Sequence, residues 1–304
     1  MQAQAHSVAL MTVASATDIP APRADYHDHI VDRLIAERAP KLTSHAAWPL
    51  VRPALYNLLD YGKARRMADA IAPQPGREAL ETVADLLKVK VNVAHADRLP
   101  RSGRVVIVAN HPTGIADGIA VYDAFKALRP DICFYANSDA HRVSPGFSDV
   151  LIPVEWVEEK RTRERTRLTL QLTREAMEAE RALVIFPAGR LARRGADGLL
   201  SDPPWMASAI SIARKHEAPV LPLHVTGPWS TLFHFFNRFS AELRDITLFH
   251  ELLNKQGRRF GLTLGPLVAP EALGGDAQAA TQALKTYVER VLPADPHRPF
   301  ADAG

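Results

Sequence analysis

The sequence contains a single cysteine, Cys133, among its 304 residues. One cysteine excludes a disulfide within the chain, which is typical of a protein kept in a reducing compartment. Cys133 lies in the apolar run DICFYAN, so we expect a small buried strand residue rather than a nucleophile. The sequence also lacks paired cysteines and the His-x-x-x-His spacing of common zinc sites, so no metal centre is expected.

Long apolar runs are absent as well. No stretch approaches the roughly 18 to 20 residues that a membrane-spanning helix needs. The first residues include a short apolar patch, but no basic flank precedes it as a secretory signal requires. Residues 1–24 are therefore expected to form a disordered lead. Apolar residues make up 47% of the chain and charged residues 23%, an ordinary composition for a globular protein with a sizeable core.

The chain has little excess charge of either sign. Its 37 lysines and arginines and 34 acidic residues give a formal net charge of +3. This mild basicity suits an anionic membrane surface or a phosphate-bearing ligand. The basic residues are mixed with acids, so nucleic-acid binding is not expected.

Hydrophobic periodicity divides the chain near residue 90. Residues 25–90 have apolar side chains at helical spacing and predict an N-terminal helical region. Breaks between its helices are expected at Trp48-Pro49, at Arg52-Pro53 and across Pro73 to Gly76.

From residue 91 onward, short apolar strands alternate with helices. Strands are predicted at 91–95, 104–110, 131–137, 149–155, 182–187, 218–227 and 259–268, and helices at 117–128, 161–180, 203–216 and 276–292. This alternation predicts an α/β domain over residues 91–304, with a mostly parallel central sheet flanked by helices and an N-terminal helical subdomain.

The segment VVIVANHPTGIADG, residues 105–118, ends a buried strand on a histidine. In an open α/β sheet, ligands bind at the carboxyl ends of the strands, where His111 is expected to stand. Its imidazole suits a general base, and Asp117 can fix its tautomer if the Pro-Thr-Gly turn folds the chain back. The alternatives are that Asp117 only caps the following helix and that His111 is an ordinary loop histidine.

A second strand end carries the run LVIFPAGRLARR, residues 183–194. Gly189 allows the backbone to approach a ligand closely, and Arg190 can bind a phosphate or carboxylate. A tight turn followed by a solvated basic loop is the other interpretation, above all for Arg193 and Arg194. His224, at a third strand end, is interpreted as structural.

Together these segments resemble the glycerolipid acyltransferases related to lysophosphatidic acid acyltransferase, and most closely their hemolysin-like branch. The blocks that carry the resemblance are Asn110-His111 to Asp117, Phe186-Pro187-Ala188-Gly189, Val220-Leu221-Pro222, Asp202 with Trp205, and HELLNKQG at 250–257. The likeness covers roughly residues 85–270.

Two departures from the family pattern affect what the resemblance implies. Five residues separate His111 from Asp117, where the family at large has four, although the hemolysin-like branch shares the longer gap. Ala188 stands where the wider family has a glutamate, in the block that holds the acceptor's phosphate. The second departure puts the acceptor in doubt and leaves the His–Asp chemistry untouched.

The resemblance implies acyl transfer from a thioester to a hydroxyl of a lysolipid or glycerolipid precursor. His111 and Asp117 would be the catalytic pair, with backbone amides near Gly114 or Gly189 stabilising the oxyanion. The predicted substrate-binding residues are Asn110, Thr113, Gly114, Pro187, Gly189 and Arg190. No cofactor is expected, because acyl-CoA or acyl-ACP serves as co-substrate.

The expected partners are the acyl donor, a lysolipid and a membrane surface, with the protein cytoplasmic and peripheral on the inner face of the cytoplasmic membrane. The aromatic segment 229–239 is interpreted either as an interfacial element or as part of the core. The basic segment 160–167 is either a docking face for acidic acyl carrier protein or, as we prefer, a solvated helix face.

Two other functions remain as alternatives. A thioesterase-like hydrolase on the same scaffold lacks the Gly-x-Ser-x-Gly elbow of such enzymes. A catalytically degenerate lipid-binding protein is compatible with the alanine at position 188.

Overall fold

A computed structural model describes residues 29–155, 161–194, 198 and 200–300. The disordered lead expected at residues 1–24 lies outside these residues. The described chain begins with helices α1 (Ile30–Arg38), α2 (Pro40–Ser44), α3 (Trp48–Leu58), α4 (Tyr61–Ile71) and α5 (Gly76–Leu87). The helical character predicted for residues 25–90 is thus confirmed from residue 30.

One predicted helix break is wrong. Pro49 lies in the first turn of α3, where a proline is tolerated because its missing N–H has no partner there. Pro53, however, lies inside α3, and the helix continues through it to Leu58. Both prolines are exposed, so water can reach the carbonyl of Pro49 that an amide at position 53 would have bonded.

Beyond residue 89 the chain alternates strands and helices, as predicted. The strands are β1 (Lys90–Ala94), β2 (Val105–Ala109), β3 (Cys133–Asn137), β4 (Leu151–Val154), β5 (Ala182–Ile185), β6 (Arg193–Arg194), β7 (Leu200–Ser201), β8 (Val220–Thr226) and β9 (Arg259–Leu264). In the described residues, seven of them form one sheet in the order β1-β9-β8-β2-β5-β3-β4, and β6 pairs with β7. In the large sheet, the pairing of β8 with β9 is antiparallel and every other described pairing is parallel, so the prediction of a mostly parallel sheet is confirmed.

Helices cover both faces of this sheet. They are α6 (Ile115–Phe125), α7 (Asp139–Val143), α8 (Arg163–Glu178), α9 (Ser208–Lys215), α10 (Thr231–Phe236), α11 (Ala241–Asp245), α12 (Leu248–Leu253) and α13 (Ala277–Thr286). The predicted helix 203–216 begins later than expected, at Ser208. The last helix ends in a π-helical turn, Tyr287–Val291.

The central strand β2 is buried on both faces, which explains its unbroken apolar sequence. Val105, Ile107 and Ala109 face a core that also contains the buried side chains of α1 and α3 to α6. Val106 and Val108 face a second core, with α9 and α13. The N-terminal helices therefore pack on the same apolar layer as one face of the sheet. Among the described helices, none combines the length and hydrophobicity that crossing a bilayer requires.

Candidate active site

The loop after β2 is fastened to the neighbouring strand by Asn110. Its side-chain amide donates to the Val225 carbonyl at 2.9 Å, and its oxygen accepts the Val225 N–H at 2.7 Å. Because β2, β5 and β8 are parallel, their carboxyl ends meet at this edge of the sheet. Asn110 was predicted to bind substrate. Its side-chain amide and oxygen both bond β8 and so shape the loop, and its contact with substrate stays a prediction.

His111 and Asp117 meet at this edge. The Nδ1 atom of His111 lies 3.0 Å from Oδ2 of Asp117, although the contact lacks the alignment of a full hydrogen bond. The Asp117 carboxylate is fully buried, and the His111 side chain is 15% exposed. With Nδ1 turned to the acid, Nε2 is the ring nitrogen left for a substrate, and the pair has the arrangement of a general base with its orienting acid.

The turn between the two residues is built around the carboxylate of Asp117. Oδ2 accepts the backbone N–H groups of Thr113 at 2.8 Å and Gly114 at 3.1 Å, and Oδ1 accepts the Thr113 hydroxyl at 2.5 Å. These donors keep the carboxylate in place beside the imidazole. Thr113, which was predicted to bind substrate, is buried, and both its N–H and its hydroxyl donate to Asp117.

Asp117 is not the N-cap of α6. That position belongs to Gly114, whose φ of +80° favours glycine. Asp117 occupies the first helical turn and accepts the N-cap's N–H, which is the acidic half of a capping box. The capping and dyad interpretations of Asp117 are therefore both compatible with the geometry, because one carboxylate touches both Gly114 and His111.

The second block, residues 186–189, contacts His111 through the aromatic ring of Phe186. The Phe186 ring packs on the His111 imidazole with centroids 4.4 Å apart. Gly189 has a φ of +60°, and its N–H is bonded to the Phe186 carbonyl. The Gly114 N–H is likewise bonded to Asp117, so the N–H groups of these two glycines are occupied within the protein. The prediction of an oxyanion donor near Gly114 or Gly189 therefore concerns neighbouring amides.

The remaining residues of the second block differ in accessibility. Pro187 is buried, and its carbonyl accepts the Met206 N–H. Arg190 is exposed and free to meet a ligand from solvent. The guanidinium of Arg194 lies 4.9 Å from the centre of the Trp229 ring, which in turn stacks on His234. Arg194 is therefore ordered against aromatic rings at the end of β8 rather than free in a solvated loop.

Comparison with known proteins matches residues 90–226 to the family model described as acyltransferase. The matched region contains both His111 and Asp117. Its matches include lyso-glycine lipid O-acyltransferases from Phocaeicola vulgatus, 25% identical over 197 residues (62% of this chain, 68% of the relative), and Bacteroides thetaiotaomicron, 22% identical over 204 residues (67% and 72%). Among solved structures, the LPA acyltransferase PlsC from Thermotoga maritima matches with a TM-score of 0.45 and 15% identity, covering 87% of this chain and 99% of that one.

A second buried acid, Asp202, contacts the backbone of His111, whereas Asp117 contacts its ring. Both of its carboxylate oxygens lie 3.1 Å from the His111 backbone nitrogen and accept its N–H, and Oδ2 accepts the indole N–H of Trp205 at 2.9 Å. Burial raises the pKa of Asp202 to about 7, although the Trp205 and His111 contacts lower it. The Asp-x-x-Trp spacing is visible in the sequence, but the contact with His111 that gives it a role appears only in the folded protein.

His224, in β8 of the large sheet, is bonded within the protein, in agreement with the structural role expected of it. Nδ1 of His224 lies 2.8 Å from the Val288 carbonyl, and burial lowers its pKa. Cys133 is buried in β3, and burial raises the pKa of its thiol to about 11, so it is not a nucleophile.

Two cavities in the described residues lie apart from the dyad. One of about 370 Å³ lies between α4, α5 and α12 and is lined by Met67, Leu86 and Leu253 among others. Another of about 250 Å³ lies beside α8 and β4. Neither is lined by His111 or Asp117. Within the same residues, no group of three His, Cys, Asp or Glu side chains is arranged to hold a metal ion.

Proposed function

We propose that this protein moves a fatty acyl group from a thioester donor to a hydroxyl of a lysolipid or glycerolipid precursor. The observation that carries the proposal is the 3.0 Å approach of His111 Nδ1 to Asp117 Oδ2 at the carboxyl end of the central strand. The names of the matched relatives, lyso-glycine lipid O-acyltransferases, favour a lysolipid as the acceptor.

In the proposed reaction, Nε2 of His111 takes the proton of the acceptor hydroxyl. The acceptor oxygen attacks the thioester carbonyl, so that a C–O bond forms and the C–S bond breaks. The thiolate leaves and takes the proton back from the imidazolium. Asp117 stabilises the positive charge that the ring carries between these steps, and base catalysis of this kind contributes about 10²–10⁴-fold.

The donor in this proposal carries phosphopantetheine, on coenzyme A or on acyl carrier protein. The basic segment 160–167 is already engaged in part, since Arg165 pairs with the Glu155 carboxylate at 2.9 Å and Arg161 donates to the Glu155 carbonyl. This supports a solvated helix face rather than a docking site for an acidic carrier. Acyl-CoA is therefore the first donor to test.

A lysolipid acceptor is held in a membrane, and we propose that the aromatic segment 229–239 contacts that surface. Phe233 and Phe236 are buried, whereas Phe235 is 52% exposed and Phe239 is 71% exposed. The two exposed rings lie 5.1 Å apart and form one apolar patch, next to the exposed Arg238. Aromatic rings beside a cationic side chain suit the interface of an anionic bilayer.

The test is release of free thiol from acyl-CoA or acyl-ACP by the purified protein, with and without lyso-glycine lipid or lysophosphatidic acid. We expect acceptor-dependent release that falls by about 10²-fold or more in His111→Ala, because the base is lost. The matched control is His216→Ala, at the opposite edge of the sheet before β8, which should retain wild-type release.

Each other outcome favours a named alternative. Release of thiol without any acceptor would favour the hydrolase. No release with any donor and lysolipid would favour the degenerate lipid-binding protein. Wild-type release by a folded His111→Ala protein would overturn the assignment of the base.

A further inference from the structure

The backbone of His111 is hydrogen-bonded through both its N–H and its carbonyl. The N–H of His111 donates to the Asp202 carboxylate, with both oxygens 3.1 Å from the nitrogen. The carbonyl of His111 accepts the Ala192 N–H at 2.9 Å. Asp202 and Ala192 both lie in the segment that connects β5 to α9. We call Ala192, Asp202 and Trp205 the histidine clamp.

Asp202 is itself fixed by two neighbours. The Trp205 indole, which is almost fully buried, donates to Oδ2 at 2.9 Å. The backbone N–H of Asp202 donates to Oε1 of Glu289 at 2.7 Å. Asp202 is 6% exposed, so the contacts that water would otherwise supply come from the protein.

Glu289 links the histidine clamp to the π-helical turn that follows α13. It lies in the π-helical turn Tyr287–Val291, and its other oxygen accepts from the Ser201 hydroxyl and from Lys285, each at 2.8 Å. Because the π turn follows α13, the C-terminal helix presents a nearly buried carboxylate to the segment that holds His111.

We propose that Asp202 is a positioning residue for acyl transfer, which fixes the His111 ring through its backbone amide, and that Glu289 in turn holds Asp202. The inference rests on the proposed function, because it assigns a role in the chemical step of His111. With the peptide tied at both ends and Phe186 packed on one ring face, the imidazole keeps the orientation that places Nδ1 at Asp117. A displacement of about 1 Å at such a base can cost about 10²-fold in rate.

Above about pH 7, where Asp202 is ionised, a neutral amide does not replace its carboxylate. The carboxylate accepts from two donors that converge on it, the His111 N–H and the Trp205 indole. An asparagine has a single acceptor oxygen, and its NH2 group would face one of these donors. Asp202→Asn is therefore expected to release either the indole or the His111 peptide.

The experiment measures kcat and KM for donor and acceptor in Asp202→Asn, Glu289→Gln and the double variant. We expect kcat to fall about 10- to 100-fold in Asp202→Asn with KM for both substrates within about twofold, because the base is misplaced while the binding surfaces remain. Glu289→Gln should lower kcat less. The double variant should lose less than the two single losses multiplied, because both act through the same peptide.

The matched control is Asp276→Asn, an acid that caps α13 and accepts the Ala279 N–H. Asparagine also caps helices, so its kinetic constants should equal those of the wild type. If Asp202→Asn does not fold, Glu289→Gln decides, and a wild-type kcat in that folded variant overturns the proposal. A rise of KM with an unchanged kcat also overturns it. An inactive wild-type protein would instead refute the proposed function, so the two failures differ.

Discussion

Two buried carboxylates contact His111, and they differ in the part of the residue that they hold. Asp117 contacts the ring nitrogen and is surrounded by donors from Thr113 and Gly114. Asp202 contacts the backbone of the histidine and lies near a further acid, Glu289. The first is suited to stabilise a charged imidazole, and the second to keep the histidine in place.

The raised pKa of Asp202 makes stability depend on pH. Burial raises this pKa to about 7 from an ordinary value of 3.8. Between these values the folded protein holds a proton that the unfolded chain has lost, so the free energy of unfolding falls as pH rises. The favourable contribution is complete below the unfolded value and is lost as pH rises through the folded one.

In Asp202→Asn this slope disappears, because the asparagine does not titrate. We expect the free energy of unfolding of the variant, minus that of the wild type, to increase between about pH 5 and pH 8. Urea unfolding at several pH values measures it, with the exposed Asp276→Asn as the control. A difference that stays constant across this range would contradict a raised pKa at Asp202.

At the scale of elements, α3 shows how a helix tolerates a proline in its interior. The ring of Pro53 removes the amide that would bond to the carbonyl of Pro49, yet the helix runs from Trp48 to Leu58. The exposed position lets water serve that carbonyl, so the proline weakens the helix without ending it.

Pro53→Ala should therefore stabilise the protein. A helix-interior proline costs about 3 kcal/mol, and the greater freedom of the unfolded alanine chain offsets about 0.4–1 kcal/mol of the gain. We expect the free energy of unfolding to rise by about 2 kcal/mol, measured in urea. Pro49→Ala is the matched control, since a first-turn amide has no intrahelical partner and should bring no gain. Equal effects of the two substitutions would refute the explanation.

At the scale of the whole molecule, strand β8 connects the site of His111 to the segment 229–239, which we propose contacts the membrane. The site lies where β2 and β8 end, and the chain continues from β8 through Trp229 into α10. A buried ion pair of Glu251 and Lys255, 2.9 Å apart, anchors this stretch by bonding Ser230 and the Phe233 N–H. The exposed rings of the segment are thus carried on a fixed support beside the site.

Vesicle binding tests this arrangement. Phe235→Ser with Phe239→Ser should weaken binding to vesicles of phosphatidylglycerol and phosphatidylcholine by about tenfold or more, because burying one such ring contributes about 1.5–3 kcal/mol. Leu168→Ser with Leu170→Ser is the matched control, since both leucines are exposed on α8. Flotation assays measure the binding, and equal losses in the two pairs would count against the aromatic patch.

Much of the fold was predictable because it is local. The change from helical to alternating periodicity near residue 90, the apolar strands and the mostly parallel sheet follow from patterns within a few residues of one another. The pairing of His111 with Asp117 was also within reach, since the turn between them spans five residues. The hydrogen bonds of Asn110 to β8 and of Thr113 to Asp117 were not predictable, because the sequence does not show whether a polar side chain faces a ligand or another part of the protein.

The sequence by itself determined which strand ends carry functional side chains, because strand period and glycine placement are local properties of the backbone. Only the tertiary structure decided what holds them. Asp202 meets His111 across 91 residues and Glu289 across 87, and no periodic pattern connects such positions. The burial of Asp202 was likewise decided by the tertiary structure. The protein packed around this residue raises its pKa, and the sequence alone does not show that it is buried.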